Sequence, residues 1–305
     1  ITILASALLS AALLALPLAI GTEQNGATNW INIGGTSVQP SELVKLALLL
    51  ILSWYMSRRR FLPWFAFAVF SLLVLMLQQD LGTALIYYAT TLFLFYASTG
   101  NLPLTGLGLV GAGGAAVLGY AMFAHVKRRV AIWRNPWIYY ETSGYQIVQM
   151  LMAIASGGLF GVGLGLGAPR VIPVYFTDCI FAVICEQFGV IFGALVLAMY
   201  VILILRGVSI ASAARSSFHA LLAMGATVML GIQTFIIIGG VLKLIPLTGV
   251  TMPFVSYGGT SLVSCMGLIG LIQGVASVNQ DDLAYDYEIS HTLQEEAMMP
   301  EADRE

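Results

Sequence analysis

Long apolar runs separated by short polar stretches set the pattern of this chain. Runs near 2–20, 41–56, 62–78, 82–98, 103–124, 178–205, 217–241 and 258–278 approach the length of about 20 residues that a helix needs to cross a bilayer. They predict eight spans and an all-α, polytopic helical bundle. The block 62–98 first reads as one long helix, but LQQDLGTAL at its centre brings in Gln78, Gln79, Asp80 and Gly82 and divides it. Two polar stretches, 21–40 and 125–177, are long enough to hold structure of their own. With eight crossings both fall on one face, together with the loop 242–257. Arg58, Arg59, Arg60, Arg206 and Arg215 fall on the other face with the C-terminal tail. Short basic loops mark the cytoplasm, so 125–177 is expected to be a large extracytoplasmic loop and the tail to lie inside. The cations of 125–177 run against that rule, and they need a reason of their own. No internal repeat is visible, which weakens a transporter built from inverted repeats.

Composition fits a membrane body. The chain is 59% hydrophobic and 9% charged, where a soluble domain carries roughly 25% charged residues. The net charge of −2 hides an asymmetry, because nine of the fifteen acids lie beyond residue 280. Residues 1–280 are therefore basic, which suits an anionic, lipid-linked partner. The acidic stretch 281–305 has few large apolar residues and is expected to be disordered and cytoplasmic. Cys179, Cys185 and Cys265 sit in apolar surroundings without metal-ligand spacing, and His125, His219 and His291 form no cluster. Buried free thiols are expected, and no metal site built from His and Cys. The chain opens at Ile1 within an apolar run, without Met or a basic flank, and reads as the truncated end of a longer protein and not as a signal peptide.

Five polar constellations interrupt the apolar pattern. In NWINIGGTSVQPSELVKL (29–46), Pro40 fits the first position of a helix capped by Gln39, and Glu42 and Lys45 share a face near the membrane surface. They make either a local ion pair or a polar wall for a substrate. Asp80, with Gln78 and Gln79, is an intramembrane acid and so a functional candidate, or else a group that bonds helix ends or a nearby Arg. HVKRRVAIWRNP (125–136) places Lys127, Arg128 and Arg129 near Trp133, as an interfacial anchor or as a clamp for pyrophosphate. SGGLFGVGLGLG (156–167) fits close helix packing or a re-entrant turn better than a phosphate cradle. PLTGVTMPFVSYGGTS (246–261) is irregular backbone of the kind that shapes a cavity at membrane depth.

Asp178 differs from these. It lies at the mouth of the apolar run VIPVYFTDCIFAVICEQFG, with Glu186 eight residues further on. That spacing puts the two about 12 Å apart along a helix, too far for a close acid/base pair. Asp178 is either a general base with its pKa raised by desolvation or simply an N-terminal cap.

Taken in order, these stretches resemble the SEDS family (shape, elongation, division and sporulation), which includes RodA, FtsW and SpoVE. The matching pieces are Trp30-Ile31, Gln39-Pro40-Ser41-Glu42 with Lys45, Asp80-Leu81-Gly82-Thr83, Gly144-Tyr145-Gln146 and Ser156-Gly157-Gly158. Thr177-Asp178, Ile180-Phe181-Ala182, Glu186, Pro246-Leu247-Thr248-Gly249, Pro253-Phe254 and Ser256-Tyr257-Gly258-Gly259 follow. The resemblance implies helices three to ten of a ten-helix fold, in the bacterial cytoplasmic membrane with the C-terminus inside. It implies a peptidoglycan glycosyltransferase that polymerises lipid II and works with a class B penicillin-binding protein among membrane lipids, with no nucleic-acid partner. Asp178 would be the catalytic base. Trp30, Glu42, Lys45, Asp80, Lys127, Arg128, Arg129, Gln146, Glu186, Ser256 and Tyr257 would contact substrate. No cofactor is fixed, and a divalent cation such as Mg or Mn stays open, as do a lipid-linked precursor transporter and an inactive scaffold. The chain departs from the family pattern at Asn29 and Val174, where the family has Arg and Glu.

Overall fold

The computed structural model describes residues 2–24, 27–34 and 36–298. Its elements run α1 (Thr2–Ala15), α2 (Pro17–Ile20), β1 (Thr22–Gln24), β2 (Ala27–Ile33), β3 (Thr36–Val38), α3 (Pro40–Ser57), α4 (Phe61–Leu77) and α5 (Leu81–Thr99). There follow α6 (Leu102–Met122), α7 (Ala124–Arg134), α8 (Tyr145–Gly157), α9 (Ile180–Ala213), α10 (Ser217–Val241) and α11 (Gly259–Met298). Among the described residues seven helical stretches are long and apolar enough to cross a membrane, and α4 is an eighth apolar helix of 17 residues. The protein is a multi-pass helical membrane protein.

Local chemistry sets the breaks between spans. Asp80 caps α5 by accepting the Thr83 N–H at 3.1 Å, which explains why the 62–98 block divides there. Gly100 ends α5 in the left-handed region at φ 65, and Asn101 then caps α6 through Leu104 N–H at 3.0 Å. Pro40 opens α3 at the first position, where its missing N–H costs nothing. The core lies around α10, which packs on α9, α5, α3 and α11. Leu48, Leu49, Leu52, Ile86, Ala226, Met229 and Leu268 are its centre. No residue of α6 is buried, which fits a helix whose apolar surface meets lipid.

The structure fills in three polar stretches. The polar stretch 21–40 holds an antiparallel three-stranded meander, β1-β2-β3, with Ile31 opposite Val38 and Ile33 opposite Thr36. Alternation in ATNWINI was the available signal. The stretch 125–177, long enough to hold structure of its own, is largely occupied by α7 and α8, and α8 packs along α9. YQIVQMLMAIASG has an apolar stripe, and Ile147, Val148, Met150 and Ala153 bury it. The acidic tail, expected to be disordered from Asp281, continues α11 as helix to Met298. Residues 281–298 contain neither Gly nor Pro and many good helix formers, and the helix already exists above them, so extension needs no new nucleus. Residues 299–305 lie outside the described residues.

The glycine stretch is a packing device. The backbone of α9 breaks at Gly189, with φ 86 and ψ 167. The segment after α8 fills the break: Val162 N–H donates to Glu186 O at 2.9 Å, Gly163 N–H to Gln187 O at 3.0 Å and Val190 N–H to Gly158 O at 2.9 Å. A β-carbon on Gly157 would stand 2.1 Å from the Cys185 carbonyl oxygen, and one on Gly161 would stand 2.2 Å from that of Gln187. These N–H groups are spent on protein carbonyls, so they do not cradle a phosphate. Gly157→Ala, in a helix where Ala is otherwise preferred, is expected to destabilise the fold by about 1–3 kcal/mol through overpacking. A lowered Tm of the purified protein in detergent checks this, and an unchanged or raised Tm contradicts it.

Candidate active site

Five segments converge at one end of the bundle. The sheet is tied to the α4–α5 turn, where Thr28 N–H donates to Gln78 O at 3.1 Å. Asn29 Nδ2 and Gln39 Nε2 both donate to Asp80 Oδ2, at 2.8 and 3.0 Å. From above, α7 reaches the loop after α10: Arg129 Nη1 donates to Thr248 O at 3.4 Å and Trp133 Nε1 to Lys243 O at 3.0 Å. The same loop meets the approach to α9. Ser256 Oγ donates to Thr177 O at 2.6 Å and accepts Met252 N–H at 2.8 Å, and Tyr257 N–H donates to Phe176 O at 2.8 Å. Ser256 therefore positions the segment that carries Asp178.

Asp178 lies two residues ahead of α9. The cap position is Cys179, with no side-chain cap bond, so the alternative of Asp178 as a helix cap does not hold. Its carboxylate is partly exposed beside Gly249, where a β-carbon would come within 3.5 Å of Oδ2. Burial pushes its pKa up to about 6, against the opposing pull of the Thr177 hydroxyl and the Arg129 charge. Burial in turn lowers the Arg129 guanidinium from its ordinary value, while the negative charges of Asp80 and Asp178 hold it up. Asp178, Arg129 and Asp80 thus form one electrostatic group, although no two of them are in ion-pair contact. A carboxylate of this kind can accept a proton near neutral pH, and the half-buried cation beside it can meet a developing negative charge.

The other candidates divide by exposure. Lys127 and Arg128 are exposed on α7, with Arg128 Nε donating to Ser143 Oγ at 3.3 Å. Tyr257 is 76% exposed, its ring edge-on to Phe176. Trp30 is half-buried on β2. Gln146 Nε2 donates to Cys179 Sγ at 3.1 Å, and burial pushes that thiol up to about 12, so it stays protonated. Glu186 belongs to the glycine packing, since its Oε1 accepts Ala168 N–H at 3.1 Å and its carboxyl abuts Gly167. Asp80 is the cap of α5, and Asn29 holds its other carboxylate oxygen.

Glu42 and Lys45 are enclosed. Lys45 is 0% and Glu42 4% exposed, and Lys45 Nζ contacts Glu42 Oε1 at 2.7 Å and Gln233 Oε1 at 3.0 Å. Gln233 Nε2 passes the network on to Thr251 O at 2.9 Å, and Thr251 Oγ1 lies 2.6 Å from Ser261 Oγ. In this arrangement neither charge reaches the surface that Asp178 faces. Gln233 escaped the sequence reading, though a Gln inside the apolar run MLGIQTFII was signal enough. Among the described residues no group of three His, Cys, Asp or Glu side chains is placed to hold a metal ion.

The family model for FtsW, RodA and SpoVE, described as cell cycle proteins, matches residues 1–281. The chain belongs to that family. The peptidoglycan glycosyltransferase RodA of Mycobacterium leprae is 39% identical over 274 residues, 83% of this chain and 59% of that protein. The stage V sporulation protein E of Bacillus subtilis is 36% identical over 84% of this chain and 73% of its own length. A chain from a solved peptidoglycan synthase complex, one that coordinates polymerization and crosslinking, superposes with a TM-score of 0.76 at 28% identity. That match covers 92% of this chain and 81% of the other. The chain spans about three fifths of the length of the mycobacterial RodA relatives it matches.

Proposed function

We propose that this chain is the membrane body of a peptidoglycan glycosyltransferase that polymerises lipid II, acting with a class B penicillin-binding protein in the bacterial cytoplasmic membrane. The observation that carries the reading is Asp178: a partly exposed carboxylate with its pKa raised to about 6, beside Arg129 and against a glycine. In the reaction the 4-hydroxyl of the acceptor's terminal GlcNAc attacks the anomeric carbon of a MurNAc. The bond from that carbon to the undecaprenyl pyrophosphate breaks, and the pyrophosphate leaves with the electron pair. Asp178 takes the hydroxyl proton. Lys127, Arg128 and Arg129 supply positive charge to the leaving group, which Arg forks suit. The mycobacterial RodA relatives are named peptidoglycan glycosyltransferases, and the solved neighbour comes from a peptidoglycan synthase complex.

Glycan-chain formation from purified lipid II, by the full-length protein with its partner's transpeptidase blocked, tests the reading. No polymer under any partner condition contradicts it and leaves translocation in vesicles as the activity to measure. The part given to α7 is read by binding and not by rate. Replacing Lys127, Arg128 and Arg129 together by Ala is expected to weaken lipid II binding by about tenfold or more, since each charge-assisted hydrogen bond is worth roughly 1.5–3 kcal/mol. Binding unchanged in a well-expressed triple variant makes α7 an anchor for headgroups and no more.

A further inference from the structure

We propose that the end of the bundle opposite Asp178 carries a binding site for a phosphate group, supplied by an anionic phospholipid headgroup and seated between the α3–α4 turn and the start of α10. This does not depend on the glycosyltransferase reading. The 18 residues of α3 separate the site from the Asp178 end by about 27 Å at 1.5 Å per residue.

Two adjoining cavities of about 300 and 380 Å³ open there, and Ser57 and Ser217 line both. Arg59 lines the first, Arg58 the second, and neither cavity has a carboxylate in its wall. The side chain of Arg58 and the backbone of Arg59 are held in place. The Arg58 guanidinium carbon stands 3.6 Å from the centre of the Trp54 ring, and Trp54 is in turn packed edge-on against Phe218 at 5.7 Å. Stacking by its face fixes a guanidinium while leaving its N–H edge available to an acceptor. Arg59 has φ 53, in the left-handed region where Gly or Asn is the usual choice, inside a turn closed by Arg59 N–H to Met56 O and Arg60 N–H to Tyr55 O, each 3.0 Å. A charged residue therefore occupies a position that backbone preference would give to glycine.

Charge balance points the same way. Arg215, on the same face, is paired with Asp286 of α11, whereas Arg58 and Arg59 have no acidic partner among the described residues. At Ser216 the side chain makes no cap bond to α10, so the first N–H groups of that 25-residue helix add to the positive field. Trp54 at the end of its span marks the headgroup level, where a phosphodiester and not a free solute is the abundant anion.

The test uses the whole protein taken from vesicles of equal phosphatidylglycerol and phosphatidylcholine, with retained lipid read by native mass spectrometry. Wild type is expected to keep phosphatidylglycerol in preference, and Arg58→Gln with Arg59→Gln to lower that retention by about tenfold or more, as loss of charge-assisted bonds should. Ser217→Leu, which narrows both cavities without removing a charge, is expected to lower it as well. Arg206→Gln removes a cation that lines neither cavity and should leave retention intact. A second arm adds inorganic phosphate alone: saturable binding lost in the double arginine variant, without lipid retention, keeps the phosphate site but makes a free phosphate its source. Equal retention of the two lipids with no phosphate binding overturns the proposal. So does an effect of Arg206→Gln as large as that of the double variant, since the attraction would then be general surface charge.

Discussion

Replacing Asp178 by Asn is expected to abolish measurable glycan polymerisation, a fall of about 10² to 10⁴ in rate for loss of a general base, with folding, membrane insertion and partner binding retained. Asn keeps the shape of the side chain and its ability to accept a hydrogen bond, and loses the basicity together with the negative charge. The site offers little to disturb: the carboxylate caps no helix, and its near neighbours are the Thr177 hydroxyl, Arg129 and the bare backbone of Gly249. Glycan chains made from lipid II by equal amounts of both proteins give the answer. Near-wild-type polymer from the Asn variant would remove Asp178 from the mechanism while leaving its geometry intact.

The same carboxylate sets a pH dependence. Its pKa stands near 6, mainly because burial penalises the charged form. A base works when deprotonated, so the rate should rise with pH through about 6 and fall as pH drops below it. Arg129 opposes the rise in pKa, so Arg129→Gln should move the midpoint of the profile upward as well as lower the rate. A variant that lost only substrate contact would lower the rate without moving the midpoint.

Most of the fold was legible because the bilayer leaves few options. Apolar runs near span length must be helices, and eight expected runs correspond to helices that begin or end within a few residues of the expected places, except where α9 and α11 run past them into polar sequence. What escaped was structure that leans on tertiary contact. In β2 the alternating residues are too few to stand out until β1 and β3 pair with them. The amphipathic α8 was hidden in a long stretch that was expected to be an outer loop. The glycines of 156–167 read as close packing or a re-entrant turn, but their partner, the break at Gly189, lies in a run that looks continuous. At the site, sequence order alone could nominate Asp178 and Arg129. It could not say that Glu42 and Lys45, equally polar and equally near a helix start, would face inward. Side-chain direction at a helix start depends on the neighbour that comes to meet it, here Gln233 from 188 residues away.

Lys45→Met is expected to cost stability and not chemistry. The ammonium is wholly enclosed, and Glu42 has no other cationic partner among the described residues; its Oε2 is buried without a hydrogen bond. Removing Lys45 alone leaves a carboxylate in a medium that solvates it poorly, and breaking such a pair typically costs about 3–5 kcal/mol. Changing both members, Lys45→Met with Glu42→Met, removes the orphaned charge, so the double variant should melt above the Lys45→Met single variant in spite of carrying more substitutions. The cycle isolates the coupling. Thermal melting of the four proteins in one detergent reads the stability half, and lipid II polymerisation at a temperature where all four stay folded reads the other. If Lys45 instead met the pyrophosphate, both Lys45 variants would lose activity alike, whatever the state of residue 42, and the melting temperature would hardly move. An enclosed pair predicts the reverse: a large loss of melting temperature for the single variant, partial recovery in the double, and polymer from every protein that remains folded.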